Sequence, residues 1–275
     1  MTLPKHPPTE LAPATIEQLL DAACKAADAA AVVTCQYFRS DMQVENKAGE
    51  DAFDPVTQAD RLAELAIREQ LIQQFPDIGF YGEEHEVIVG SSDLMWVVDP
   101  IDGTRAFMSG MPLWGTLIGL YDGRNAVLGV MDQPILKERY IATNTSAQLH
   151  SSNKSQTLST RTGLALDKAI MYCTTPDMFT TKIDRKRFEL VRDQALLTRY
   201  GGDCYAYALL AAGFVDVVLD CDLAPYDIMA LIPLIEAAGG VVSNWEGESA
   251  VDGGYVVASG SRQLHEEVLI MLRAH

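Results

Sequence analysis

Basic residues are scarce in this chain. Its 275 residues include 21 Lys and Arg against 38 Asp and Glu, which gives a formal net charge of −17 at pH 7. Nucleic acids and anionic membrane surfaces attract clusters of Lys and Arg, so the composition argues against nonspecific binding to either. An anionic substrate would need a metal ion to offset the local repulsion.

Paired cysteines and long apolar runs are also lacking. The five cysteines are odd in number and have no CxxC spacing, which predicts reduced, buried thiols rather than disulfides or structural zinc. No apolar run approaches the ~20 residues that span a bilayer, and the Pro-rich start, Met1 to Pro13, lacks the apolar core of a secretion signal. We therefore expect a cytoplasmic protein with no membrane partner and a loose N-terminal segment.

The first half of the chain combines helical patterns with strands. Hydrophobic residues make up 48% of the sequence, enough for one large domain or two packed halves. Apolar spacing predicts an Ala-rich helix over 15–39 and a second helix over 57–75, where Thr57 and Asp60 can form a capping box. Residues 96–143 follow with several β runs, including a hairpin closed by an Asp-Gly turn.

The second half alternates strands and helices, which is typical of an α/β arrangement. The predicted strands cover 169–173, 214–219 and 255–259, and the predicted helices cover 186–198, 203–212, 227–238 and 261–273. Pro233 predicts a kink or a later start in the third of these helices. Because the stretch 143–162 is rich in Ser and Thr, we divide the chain into an α+β part, 1–150, and an α/β part, 151–275, packed as one unit.

Two carboxylates stand at the end of a predicted buried strand. The motif reads Asp99-Pro100-Ile101-Asp102-Gly103-Thr104 and follows the apolar run 94–98. Pro100 cannot donate a ladder hydrogen bond, so we expect the strand to stop there. The Ile101 carbonyl is then free, and the Gly103 and Thr104 amides point outward. Carboxylate and carbonyl oxygens suit Mg²⁺, while free amides at a helix start receive a phosphate.

Further acidic motifs accompany this one. They are Asp54-Pro55-Val56-Thr57-Gln58-Ala59-Asp60, Gly82-Glu83-Glu84 and Pro225-Tyr226-Asp227. Asp and Gly are common turn formers, so Asp99 and Asp102 alone could merely shape a turn. Four separated acidic motifs favour a metal site instead. His85 adjoins Glu83, but the five histidines lack paired spacing, so zinc is not expected and His85 is interpreted as incidental.

The four motifs together resemble those of the inositol monophosphatase family of Mg²⁺-dependent phosphomonoesterases. The run Glu236-Ala237-Ala238-Gly239-Gly240 belongs to the same pattern, and the resemblance spans nearly the whole chain. It implies a layered αβαβα sandwich of the inositol monophosphatase and fructose bisphosphatase type. It also implies a small phosphate monoester as substrate, two or three Mg²⁺ ions and a homodimer.

The resemblance implies a set of metal ligands. Glu83, Asp99 and the Ile101 carbonyl would hold one Mg²⁺. Asp99, Asp102 and Asp227 would hold a second, so that Asp99 bridges the two ions. Two metals suit this chemistry, since monoester hydrolysis is among the slowest uncatalysed reactions and needs an activated water and a stabilised leaving group. Asp227 could also be a helix N-cap, which is compatible with metal binding.

Other matched residues would handle water and phosphate. Asp60 and Thr104 match the pair that orients the nucleophilic water, and Glu83 joins them as a catalytic residue. The amides of Gly103 and Thr104 match the phosphate-binding group, and no side chain becomes phosphorylated. The structural alternatives are a capping role for Asp60 and an ordinary helix start for Thr104. Lys47 loosely matches a family lysine near a third metal, or is simply solvated.

Substrate choice is expected to come from the second half, where residues 199–207 resemble the histidinol-phosphate phosphatase branch of the family. Supporting stretches are 100–107, 112–118 and 226–231. In that branch Asp203 could pair with the amino group of histidinol. Asp220, seven residues before Asp227, lies where the family contacts the alcohol, and Asp227 is also expected to contact the substrate. Tyr226 replaces a tryptophan common in inositol phosphatases. The alternative is that Asp203 merely caps the helix at 203–212.

The branch implies hydrolysis of L-histidinol phosphate to L-histidinol and phosphate, a step of histidine biosynthesis. Inositol-1-phosphatase, or a phosphatase for another small ester, is the alternative that shares the mechanism. Haloacid-dehalogenase phosphatases differ, because their two aspartates lie two positions apart, whereas Asp99 and Asp102 lie three apart. The remaining alternative is a regulator that binds Mg²⁺ and phosphate without catalysis, although every ligand position is filled.

Overall fold

The computed structural model describes residues 3–40, 44–46, 55–152 and 154–273. Within them the helices are α1 (Pro13–Tyr37), α2 (Gln58–Gln74), α3 (Thr104–Met108), α4 (Lys182–Arg192), α5 (Asp203–Ala211), α6 (Pro225–Ile228), α7 (Leu231–Ala237) and α8 (Arg262–Arg273). The strands are β1 (Val44–Asn46), β2 (Pro55–Thr57), β3 (Gly79–Gly82), β4 (Met95–Asp102), β5 (Gly115–Tyr121), β6 (Ala126–Gln133), β7 (Glu138–Thr143), β8 (Ser146–Ser151), β9 (Lys154–Thr157), β10 (Ile170–Cys173), β11 (Leu197–Tyr200), β12 (Val217–Leu223), β13 (Val241–Asn244) and β14 (Gly254–Ser259). Lys47 and Asp54 lie outside the described residues.

Most of the described strands form two large sheets, and β1 pairs with β2 in a separate two-stranded sheet. The first is seven-stranded in the order β3-β4-β5-β6-β7-β8-β9, and the second is five-stranded in the order β11-β10-β12-β14-β13. β3 and β4 run parallel, so their carboxyl ends meet at one edge of the sheet. In the second sheet β10 and β12 are parallel in the same way. β9 lies beyond the boundary of 150 that the sequence suggests.

Alternating side chains give the seven-stranded sheet two buried faces. On β4, Trp96 and Val98 pack with α1 and α2, whereas Met95 and Val97 pack with α5, α6 and α7. The five-stranded sheet covers the other side of those helices, and α4 and α8 cover its far face. The layers therefore run helices, sheet, helices, sheet, helices, which confirms the predicted αβαβα sandwich.

Local sequence explains how the N-terminal layer forms. The buried face of α1 is built mostly from alanines, including Ala23, Ala27 and Ala30, and such small side chains let α2 approach closely. The capping box at the start of α2 is present as predicted, with Thr57 and Asp60 bonded to each other's backbone amides. No helix among the described residues has the length and apolar character needed to cross a membrane.

Several expectations about the first half are wrong. β4 does not stop at Pro100 but continues to Asp102, because a bulge between Asp99 and Asp102 removes the need for a ladder donor at the proline. From residue 3 onward the N-terminal segment is not loose: Leu3 is buried in the core, and the His6 amide donates to the Gly123 carbonyl at 3.1 Å.

The second half also differs in places from the sequence pattern. The helix expected over 186–198 ends at Arg192, and residues 197–200 form strand β11 instead. The helix expected over 227–238 is split into α6 and α7, and Pro233 lies in the first turn of α7, where no intrahelical donor is needed. The described cysteines are free thiols, but Cys35 is exposed rather than buried.

Candidate active site

A cavity of about 150 Å³ opens where the carboxyl ends of β3 and β4 face the second half of the chain. Every predicted site residue except Asp60 lines it: Glu83, Asp99, Ile101, Asp102, Gly103, Thr104, Asp203, Asp220 and Asp227. Glu83 follows β3 and the Asp99–Thr104 motif ends β4, so parallel pairing of these two strands brings the first two acidic motifs together. Residues far apart in sequence thus share one cavity.

The bulge at the end of β4 shapes the motif. The Asp99 carboxylate accepts a hydrogen bond from the Ile101 amide at 2.9 Å, and the Thr116 hydroxyl donates to the Pro100 carbonyl at 2.8 Å. These bonds hold the irregular turn that aims Asp99 into the cavity. The Ile101 carbonyl was expected to be free, but it accepts the Thr104 hydroxyl at 3.2 Å. A carbonyl has two lone pairs, so one remains for a further partner.

Asp60 lies behind Thr104 and caps α2 at the same time. One carboxylate oxygen of Asp60 accepts the amide of Thr57 at 2.9 Å and its hydroxyl at 2.5 Å. The other lies 3.4 Å from the Thr104 hydroxyl. Asp60 is buried, and the pairing of Asp60 with Thr104 that the sequence predicts is therefore present in the geometry. Capping and contact with Thr104 use different oxygens, so one role does not prevent the other.

The cavity concentrates negative charge. Burial raises the pKa of Asp99 well above its ordinary value, and neighbouring Glu83 adds to the effect. Burial, with the nearby charge of Asp203, likewise raises the pKa of Asp102. The pKa of Asp227 rises to about 7 for the same main reason, although the Ala224 amide donates to its carboxylate at 2.7 Å. Such a cluster favours bound cations, because a nearby positive charge stabilises the ionised form of these carboxyl groups.

The donor set fits Mg²⁺. Carboxylates and a carbonyl are hard oxygen ligands, and none of the Lys, Arg or His residues that the structure describes lines the cavity. In the described parts of the chain, no three His, Cys, Asp or Glu side chains form a group that could hold a metal ion by themselves. Mg²⁺ usually keeps several waters and binds through one or two carboxylates plus substrate phosphate, so it does not need three clustered side chains.

Asp203 comes from the second half of the chain and lies against the Asp99–Thr104 motif of the first half. Its Oδ2 atom is 3.1 Å from the point that a Cβ atom on Gly103 would occupy, next to the amides expected to bind phosphate. Burial and the charge of Asp220 raise the pKa of Asp203 to about 6, while Arg105 partly opposes this. α5 begins at Asp203 with Gly202 as its N-cap residue, so Asp203 is not the cap.

Asp220 lies deeper and is held by the protein itself. Its carboxylate accepts the Thr174 amide at 2.7 Å and the Tyr207 hydroxyl at 2.9 Å, and the side chain is fully buried. Burial raises the pKa of Asp220, which these donors partly offset. Thr174, Tyr207 and Cys204 also line the cavity, but they were not predicted as site residues from the sequence. Helical spacing from Asp203 to Tyr207 was the one available signal, since positions i and i+4 share a face.

Comparison with known proteins decides the family. The family model described as "Inositol monophosphatase family" matches residues 15–275 of this chain. The chain belongs to this family. Members of the inositol monophosphatase family are phosphatases and generally depend on Mg²⁺, in agreement with the oxygen-rich cavity.

Named relatives fall on both sides of the substrate question. "Bifunctional phosphatase IMPL2, chloroplastic" of Arabidopsis thaliana is 39% identical over 98% of this chain and 79% of its own length. The histidinol-phosphatase of Chlorobaculum parvum is 34% identical over 88% of this chain and 92% of its own. A solved structure of an inositol monophosphatase from Zymomonas mobilis is 36% identical, covers 93% of this chain and 98% of its own, and superposes with a TM-score of 0.82.

Proposed function

We propose that this family phosphatase is a Mg²⁺-dependent phosphomonoesterase that hydrolyses L-histidinol phosphate to L-histidinol and phosphate. The observation that carries the proposal is the place of Asp203, whose carboxylate lies beside Gly103 in a cavity lined by acidic groups. A leaving alcohol that carries an ammonium group gains a charged partner there, whereas a neutral polyol does not. The similarity to the Chlorobaculum parvum histidinol-phosphatase supports the same choice.

The residues that would hold Mg²⁺ are those at the ends of the two parallel strands, with one from the other half. Glu83, Asp99 and the Ile101 carbonyl would hold one ion, and Asp102 and Asp227 would join Asp99 around a second. When bound, Mg²⁺ lowers the pKa of water and screens the phosphate charge.

The chain's own groups then place the reactants. Thr104, which lines the cavity, would orient the attacking water together with Asp60, which lies behind it and whose carboxylate is 3.4 Å from the Thr104 hydroxyl. The Gly103 and Thr104 amides would receive the phosphate at the start of α3. The water oxygen forms a new bond to phosphorus as the ester P–O bond breaks, and a proton released by the water is taken up by the oxygen of the departing alcohol. No covalent intermediate on the protein is required.

Inositol 1-phosphate is the second candidate substrate. It is favoured by the similarity to the Zymomonas mobilis inositol monophosphatase, which covers 93% of this chain. The same metal and water groups would serve either ester, so the two candidates differ only at the wall that covers the leaving alcohol.

The variant Asp203→Asn separates the two candidates. It removes the charge but keeps the shape, so kcat/KM for L-histidinol phosphate should fall about 10- to 100-fold, the worth of one charged hydrogen bond. Activity on inositol 1-phosphate should change by less than about threefold. Asp177→Asn, at an exposed carboxylate of the same half, is the control and should leave both substrates unaffected. Equal losses on both esters with Asp203→Asn would remove Asp203 from substrate choice.

A further inference from the structure

Glu64 is a carboxylate buried where an apolar residue would be expected. It lies on α2 one turn after Asp60, on the face that also buries Ala63 and Ile67, and none of its surface is exposed. A charged side chain in such a position is costly unless its oxygens are fully hydrogen-bonded. Glu64 does not line the cavity, so direct contact with substrate does not explain why its carboxylate is buried.

The partners of Glu64 all come from the segment around Glu83. One carboxylate oxygen accepts the Glu84 amide at 2.7 Å. The other accepts the His85 amide at 3.0 Å and lies 3.0 Å from the His85 ring nitrogen Nδ1. His85, which was interpreted from the sequence as incidental, therefore contacts the Glu64 carboxylate through both its backbone and its side chain. Charge-assisted bonds of this kind are roughly twice as strong as neutral ones.

Gly82 shows how closely the carboxylate is enclosed. A Cβ atom at this position would overlap all three atoms of the Glu64 carboxyl group, so only glycine leaves room for it at the end of β3. Glu83 is thus preceded by a residue that touches Glu64 and followed by two residues that donate to it. The backbone on both sides of Glu83 is fixed by one side chain from a different element.

We propose that Glu64 is a positioning residue that holds Glu83 in place for the metal site. The inference rests on the proposed function, in which Glu83 is a ligand of Mg²⁺. Without the buried carboxylate, the amides of Glu84 and His85 would lose their acceptor and the loop would sample other conformations. The Glu83 carboxylate would then have to be ordered when the ion binds, at the expense of affinity.

The test measures Mg²⁺ binding to the metal-free protein by isothermal titration calorimetry with magnesium chloride alone. Glu64→Gln keeps the shape but places an amide group against a backbone N–H or the imidazole. We expect its Mg²⁺ affinity to fall about 10- to 100-fold, the usual loss when a group that orients a metal ligand is removed. Hydrogen exchange of the Glu84 and His85 amides should become faster. At saturating Mg²⁺, kcat should return to near the wild-type value.

Two controls separate positioning from general destabilisation. Glu69→Gln changes an exposed glutamate on the same helix and should change neither Mg²⁺ affinity nor loop exchange. Asp184→Asn changes a buried carboxylate of the second half, which accepts the hydroxyls of Thr181 and Tyr255 at 2.5 and 2.9 Å. This variant should lower the melting temperature without weakening Mg²⁺ binding. A merely structural role for Glu64 would give the same pattern as Asp184→Asn.

An affinity for Mg²⁺ within threefold of wild type in folded Glu64→Gln would overturn the proposal. If that variant does not fold, Glu64→Asp decides, because it keeps the charge but is one methylene too short to reach both amides, and unchanged affinity there has the same meaning. If the wild-type chain binds Mg²⁺ but hydrolyses no ester, the proposed function fails while the titration still tests Glu64. If it binds no Mg²⁺, slower exchange of the Glu84 amide in wild type than in Glu64→Gln would support loop fixing alone, and positioning of a metal ligand would be refuted.

Discussion

Contact between the two halves at a pair of glycines should control both stability and the metal site. Gly119 on β5 and Gly129 on β6 are cross-strand partners, and the backbone between α6 and α7 lies directly against them. A Cβ atom on Gly129 would overlap the Ala230 carbonyl, and one on Gly119 would come within 2.9 Å of the Ala230 amide nitrogen. Ala230 follows Asp227 by three positions, so the glycines set how deeply this carboxylate enters the cavity.

The magnitude for Gly129→Ala follows from what the new methyl group meets. Backbone atoms cannot rotate aside as a flexible side chain can, so α6 and α7 must retreat from the sheet. Inserting a carbon into a packed interior usually costs 1–3 kcal/mol, and we expect about 3 kcal/mol here because the obstacle is a carbonyl. This is a large part of the roughly 5–15 kcal/mol that holds a typical domain folded. Because Asp227 moves with the helices, Mg²⁺ should also bind more weakly.

Urea unfolding of metal-free protein measures the first effect, and Mg²⁺ titration of activity measures the second. Gly163→Ala is the control, since nothing lies within 4 Å of a Cβ there and its φ of +76° leaves only the left-handed backbone cost of about 1–2 kcal/mol. If Gly129→Ala loses no more stability than Gly163→Ala and needs no more Mg²⁺ for half-maximal activity, the two glycines do not control the contact between the halves.

Three further substitutions test the electrostatics and the link between halves. Asp99→Asn should abolish Mg²⁺-dependent turnover but raise the melting temperature of the metal-free protein at pH 8. The pKa of Asp99 is raised in the folded protein, so its ionisation at pH 8 opposes folding. A lower melting temperature in the variant would contradict this. Burial lowers the pKa of His265 from 6.5 to about 4, so between these two pH values the unfolded chain binds a proton that the folded chain does not. The free energy of unfolding should therefore fall by at most about 3 kcal/mol as the pH drops from 6.5 to about 4. Urea titrations should find that loss reduced in His265→Gln, and an unchanged slope would exclude His265 as its source. Tyr205→Phe removes a hydroxyl that donates to Glu138 at 2.5 Å across the two halves and should cost about 1–3 kcal/mol in the same assay, with no cost if the bond is unimportant.

The acidic motifs could be found in the sequence because each depends on neighbouring residues. The capping box of Thr57 and Asp60 follows from a spacing of three, and the Asp99 motif follows directly from the apolar strand before it. Parallel pairing of β3 with β4 brings Glu83 to Asp99, and this pairing was not predicted from the sequence. The layered fold could be predicted, since apolar periodicity reports which faces are buried.

Features that depend on distant partners could not be predicted in this way. Local rules predict that a strand ends at Pro100, but β4 continues to Asp102 because of the bulge and the hydrogen bond from the Thr116 hydroxyl to the Pro100 carbonyl. β11 has little apolar pattern because it is an edge strand with exposed side chains, and its pairing with β10 decides its conformation. The one sign of Glu64 in the sequence is that it is an acidic residue on the apolar face of α2. Its hydrogen-bond partners could not be predicted, because they lie about 20 positions away along the chain.

The proposed function is tested most directly by kcat/KM for phosphate release from L-histidinol phosphate, inositol 1-phosphate and a nucleotide 3′-phosphate, each with and without Mg²⁺. Competing substrates are discriminated by the ratio of these constants. We expect no turnover without Mg²⁺ and, with it, a preference of at least about 10-fold for L-histidinol phosphate, the lower bound set by one charged contact at Asp203. An equal or greater kcat/KM for either other ester, or turnover that survives removal of Mg²⁺, would contradict the proposed function.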